Sequence, residues 1–150
     1  MSRFIVTKDQ SKQYRWAFIA GNNEPLAVPG ESFGRKEDAL ANIELVKTVA
    51  PEAPIHDLTD PASDGHHARG GTPEFEVYTD NAGEYRWRLQ GGNSRILAAS
   101  SEGYEKKKDC LHAIHLVKQT SPNAPVKDET GEGGFVKPGT PAVVGGGRFA

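Results

Sequence analysis

The sequence has one cysteine, no long apolar run and little net charge, and each shortage closes off a class of protein. Cys110 is the only cysteine, so no internal disulfide can form and the chain suits a reducing compartment. No apolar stretch approaches the roughly 18 residues that crossing a bilayer requires. The opening MSRFIVTKDQ has neither an apolar core nor a small-residue cleavage site, which predicts no secretory signal and a cytoplasmic protein. The 18 basic and 20 acidic residues leave a net charge of −2. That balance works against the broad phosphate-neutralising surface used in non-specific nucleic-acid binding. What remains, with 25% charged and 36% hydrophobic residues among 150, is the composition of an ordinary folded domain.

The chain repeats itself. Phe4 to Thr59 and Phe75 to Thr130 align at a constant offset of 71 without a gap. Tyr14-Arg15-Trp16 returns as Tyr85-Arg86-Trp87, Leu45-Val46-Lys47 as Leu116-Val117-Lys118, and Pro51 and Pro54 as Pro122 and Pro125. One copy is a unit of roughly 60 residues, too small to bury much of its surface alone, so a single joint core is expected. Residues 1–130 then form one pseudo-dimeric domain with repeats at 4–59 and 75–130. The polar, Gly- and Pro-bearing segment 60–73 links them, and 131–150 reads as a disordered Gly/Pro-rich tail.

Within each copy the apolar period changes from two to that of a helix. Phe75-Glu76-Val77-Tyr78 and Tyr85-Arg86-Trp87-Arg88-Leu89 alternate as strands do when one face is buried, with Asp80 to Glu84 as a hairpin turn. Copy one lacks the turn glycine, which predicts a looser turn at Asp9 to Gln13. Third strands follow at Leu26 to Val28 and Ile96 to Ala99. Helices are expected over Arg35 to Ala50 and Lys106 to Ser121, closed by Pro51 and Pro122. Ala53-Pro54-Ile55 and Ala124-Pro125-Val126 leave room for one short edge strand each.

The run F-x-V-Y, D-x-x-G-E-Y-R-W-R-L, a G-N turn, I-L-A-x-S, E-G-Y and A-P-V-x-D resembles the YegP-like family. Copy two matches nearly throughout. Copy one departs at Ala17, at Pro25 and Pro29, which interrupt the third strand, and at Ser32-Phe33. The resemblance implies an α+β fold: two tandem β3-α-β units forming one pseudo-two-fold antiparallel sheet, with helices on one face and exchanged last strands. It implies no catalytic residues.

No nucleophile, carboxylate pair or metal set recurs in both copies, which points away from an enzyme. Gly91-Gly92 leads into a turn and a strand, so it lacks the helix N-terminus that would cradle a phosphate, and no cofactor is expected. His112 and His115 share a helix face near Cys110, weak candidates for a metal, with His66-His67 as distant additions. The equivalents in copy one are Ala41, Glu44 and Ala39, so solvated histidines and a buried, inert thiol are the expectation. Strand alternation places Arg15, Arg86, Arg88, Glu76 and Tyr78 on the face turned away from the helices. Guanidinium groups beside a tyrosine suit an anion or a partner protein, and Lys106, Lys107 and Lys108 add positive charge at a helix start. The sequence therefore reads as a small interaction or ligand-binding module, a monomer with a protein or small anionic ligand on its open sheet face. Nucleic-acid binding through the same arginines, Tyr78 and the lysines is the alternative.

Overall fold

The computed structural model describes residues 1–63, 72–93 and 95–132. Each copy contributes three strands, a helix and a short last strand. In order these are β1 (Arg3–Lys8), β2 (Tyr14–Ile19), β3 (Pro25–Pro29), α1 (Lys36–Val49) and β4 (Ile55–Asp57). The second copy gives β5 (Glu74–Thr79), β6 (Tyr85–Gln90), β7 (Ile96–Ser100), α2 (Lys107–Thr120) and β8 (Val126–Asp128). All eight strands form one sheet in the order β4-β5-β6-β7-β3-β2-β1-β8. The halves meet where β3 pairs with β7, Val28 opposite Ala99. The final strands are exchanged: β4 lies beside β5 and β8 beside β1. These two outer pairs are parallel, whereas the six inner strands pair antiparallel, so the sheet is mixed. A strand that leaves a helix and returns to the other copy arrives running with its neighbour.

The alternation in the sequence decides which face is covered. Phe4, Val6, Trp16, Phe18 and Leu26 of the first copy face the helices and are buried, as are Phe75, Val77, Trp87, Leu89 and Leu97 of the second. Against them pack Ala39, Leu40, Ile43 and Val46 of α1 and Cys110, Ala113, Ile114 and Val117 of α2. Each fully buried side chain of this size is worth about 1.5–3 kcal/mol. α1 lies over β2 and also reaches β7, while α2 lies over β6 and reaches β3, so both helices cross the seam. One core results.

Several local features follow from particular residues. Each helix passes into a single 3-10 turn that holds its proline, Pro51 or Pro122, since an amide without hydrogen cannot extend the α ladder. Pro25 and Pro29 bound β3 rather than interrupt it, and Ala27 between them keeps its pairing with both neighbours. The exchanged strands are fixed by mirrored contacts. Lys36 pairs with Asp128 at 2.6 Å and Lys107 with Asp57 at 2.8 Å. Lys47 donates to the Ala124 carbonyl at 2.9 Å and Lys118 to that of Ala53.

The first-copy hairpin turn differs from the expectation of looseness. Asp9 Oδ1 accepts from the amides of Ser11 and Gln13, as Asp80 Oδ1 accepts from those of Ala82 and Glu84. The same turn therefore forms in both copies, with Lys12 at φ 66° where Gly83 stands at φ 82°. A side chain in that region is strained. Lys12→Gly should raise the unfolding free energy by about 0.5–1 kcal/mol and Gly83→Ala should lower it similarly, as read by urea denaturation.

Part of the segment assigned to the tail belongs to the fold, while 133–150 and linker residues 64–71 lie outside the described residues. Glu132 accepts from Lys8 at 2.8 Å and from the Tyr14 hydroxyl at 2.6 Å, with Lys36 at 3.3 Å. The Lys8 ammonium first, then the Tyr14 hydroxyl, pull its carboxyl from 4.5 down to about 2. A group depressed on folding stabilises the native state above its unfolded value and loses that contribution as pH falls through the folded one. The protein should therefore lose stability between pH 4.5 and about 2, and Glu132→Gln should flatten part of that slope in thermal melts.

Candidate functional site

The face of the sheet opposite the helices carries the residues singled out from the strand alternation. Strand register aligns one row right across it: Lys127 of β8, Ile5 of β1, Ala17 of β2, Val28 of β3, Ala99 of β7, Arg88 of β6, Glu76 of β5 and His56 of β4. Ile5, Ala17, Val28 and Ala99 are half-buried. The row is chemically lopsided. The first copy supplies apolar side chains where the second supplies Arg88 and Glu76, although the backbones correspond.

The second-copy half is an internally compensated ionic network. Glu76 is 1% exposed, although the alternation assigns it to the polar face. Its carboxylate accepts from Arg88 Nε at 2.7 Å and from Gln90 Nε2, and the Arg88 guanidinium stacks 4.6 Å from the Tyr78 ring. Glu74, also buried, lies 3.7 Å from His56 Nδ1. Burying charge is tolerated only when it is paired and hydrogen-bonded, and this set answers that demand. Arg86 and Asp80 form a neighbouring pair at 2.7 Å, in which the guanidinium holds the Asp80 carboxyl below its usual range. Arg15 donates to Ser32 Oγ at 2.9 Å.

The lysines and histidines are placed as follows. Lys106 occupies the N-cap of α2 without a side-chain cap, Lys108 is exposed, and Lys107 is the clamp on Asp57. His112 and His115 are exposed on α2, and His66-His67 lie outside the described residues. Among the described residues, the donors that come within ligand distance of one another are His56, Glu74 and Glu76, with ligand atoms all within 4.8 Å. Arg88 and Gln90 already occupy an oxygen of Glu76, so a cation there would have to displace them. Cys110 is buried in the core, and burial, aided by Asp57, pushes its thiol up to about 12. A thiol so protonated is a poor nucleophile.

His56 and Glu74 escaped the sequence reading because their proximity depends on β4 crossing to the other copy. The signal that was present is the pair Glu74 and Glu76, two apart on one strand and hence on one face. Removing Arg88 leaves a buried carboxylate short of its counter-charge. Arg88→Ala should cost about 2 kcal/mol in urea denaturation, with part recovered by adding Glu76→Gln.

Comparison with known proteins matches both halves to a family described as "Domain of unknown function (DUF1508)", at residues 9–57 and 80–128. A UPF0339 protein of Neisseria meningitidis serogroup B is 50% identical over 54 residues, which is 36% of this chain and 95% of that protein. A UPF0339 protein of Methanosarcina acetivorans is 45% identical over 51 residues, 34% of this chain and 86% of the relative. Among solved structures, the yegP protein of E. coli, of unknown function, superposes with a TM-score of 0.65 at 24% identity, covering 87% of this chain and 95% of that one. A UPF0339 protein of Shewanella oneidensis gives 0.65 at 19% identity, covering 86% and 92%. At these identities the likeness concerns the fold.

Proposed function

The chain belongs to the DUF1508 family as a tandem pair of its domains, and we propose that it is a non-enzymatic binding module that docks a partner protein on the helix-free face of the sheet. The observation supporting this reading is the half-buried row Ile5, Ala17, Val28 and Ala99, which ends on the exposed Lys127. Small apolar side chains on a flat face favour an apolar contact, and Lys127 at its end favours an acidic residue of the partner. A small anion or nucleic acid is less well served. Arg86, Arg88 and Lys107, three of the six cations expected to serve such a ligand, are each engaged by a carboxylate of the same chain.

The test uses a photoreactive amino acid at position 17 in the full chain inside its source cells. A discrete protein cross-link is expected there, absent at the exposed helix position 37 and lost when Ile5→Glu is added, while the melting temperature stays unchanged. Equal cross-linking at 17 and 37, or indifference to Ile5→Glu, overturns the reading.

A further inference from the structure

The two copies serve as references for one another at the corner where each helix begins, on the helix side of the sheet. In copy one that corner holds a carboxylate. Glu132, just past β8, accepts at Oε2 from Lys8 Nζ at 2.8 Å and from the Tyr14 hydroxyl at 2.6 Å, and its Oε1 lies 3.3 Å from Lys36 Nζ. Donors from β1, β2 and α1 thus converge on one carboxylate. Lys36 takes part while it also holds Asp128 at 2.6 Å, so one ammonium serves two carboxylates. Beside it, the N-cap residue Arg35 and the second helical residue Glu37 pair with each other at 2.8 Å.

Copy two keeps two of these donors and changes what surrounds them. Tyr85 and Lys107 stand for Tyr14 and Lys36, with Lys107 Nζ 2.8 Å from Asp57 and 5.9 Å from the Tyr85 ring centroid. The position of Glu132 falls on Pro61, which brings no carboxylate, and Thr79 replaces Lys8. Tyr85 is half-buried; its hydroxyl reaches solvent and, among the described residues, has no hydrogen-bond partner. The paired Arg35 and Glu37 become Lys106 and Lys108, both exposed and in no ion pair among the described residues. Cations at the positive end of a helix are unfavourable, and α2 starts without a side-chain cap. Negative charge brought from outside relieves both.

We propose that the start of α2 binds an acidic peptide segment of a partner. One carboxylate of that segment accepts from the Tyr85 hydroxyl and Lys107 Nζ, as Glu132 accepts from Tyr14 and Lys36, and flanking carboxylates meet Lys106 and Lys108. Lys107 and Lys108 project about 100° apart and Lys106 precedes the helix, so a lone small carboxylate cannot meet all three. A segment with several acidic side chains can. Asp60, where copy one has Gly131, accepts from the Ala62 amide at 2.9 Å and adds negative charge near Lys107, which makes the binding weak and sensitive to salt.

The full chain labelled with nitrogen-15 is titrated at low salt with acetyl-Glu-Glu-Glu-amide, and the assigned backbone amide signals provide the readout. Those of Lys107 and Lys108 should move saturably, while those of Lys36 and Glu37 stay in place. The glutamine counterpart, acetyl-Gln-Gln-Gln-amide, should leave all of them still, and acetate should bind about tenfold more weakly. Pro61→Glu, which installs the carboxylate that copy one has, should abolish the response. Tyr85→Phe should weaken it about tenfold and keeps the test available if the glutamate variant fails to fold. Signals of Lys107 and Lys108 that the peptide does not move, equal movement at Lys36, an affinity that neither variant lowers, or inorganic phosphate binding as tightly as the peptide overturns the proposal.

Discussion

Each copy on its own would leave the outer edge of its first strand bare, and in this chain that edge is closed by the other copy. β4 covers β5 and β8 covers β1, so the two copies are interdependent at both margins of the sheet as well as at the β3 and β7 seam. Exposed strand edges are templates for unwanted pairing, and three-residue caps ending in charged or polar loops are an economical way to end a sheet. The clamps that hold these caps, Lys36 on Asp128 and Lys107 on Asp57, come from the start of the helix of the opposite copy. The helices, the seam and the caps thus form one mechanical unit.

With that frame fixed, side chains in the two copies are free to differ. Along the row that crosses the open face, the β1 to β3 side is apolar and the β5 to β6 side ionic, over equivalent backbones. The helix-facing side shows the same divergence in miniature. Trp16 is satisfied by Asn42, whereas copy two has Ala113 at the equivalent position and the buried Trp87 Nε1 has no hydrogen-bond partner. A duplicated scaffold stabilised by shared apolar contacts tolerates such changes, because neither the Trp and Phe packing nor the strand register depends on them.

Much of the architecture was legible in the chain. Period-two alternation around Trp16 and Trp87 placed the strands and their buried face, the helical stripes Ala39, Ile43, Val46 and Cys110, Ile114, Val117 placed the helices within a residue at each end, and Pro51 and Pro122 marked their stops. The turn at Lys12 was misjudged because the absence of glycine was weighed more heavily than the Asp9 side chain, which enforces the same hydrogen bonds that Asp80 makes. Glu76 was placed on the polar face turned away from the helices, yet it is buried: the β5 to β6 hairpin sets Arg88 and Gln90 against its carboxylate, and the crossing strand β4, which only long-range pairing supplies, covers its other side.

The sequence by itself determined the element order, the buried face of each strand and the equivalence of the two halves, since these depend on local periodicity and on a gapless repeat. Tertiary structure decided the rest. Which strands cap the sheet, which charges clamp those caps and which strands of the other copy each helix reaches follow from strand exchange and from helices that cross the seam. Those contacts join residues far apart in the chain, 77 positions for Lys47 with Ala124 and 92 for Lys36 with Asp128. No local pattern carries that information, because the energy of a buried polar group depends on the neighbour supplied by the other copy.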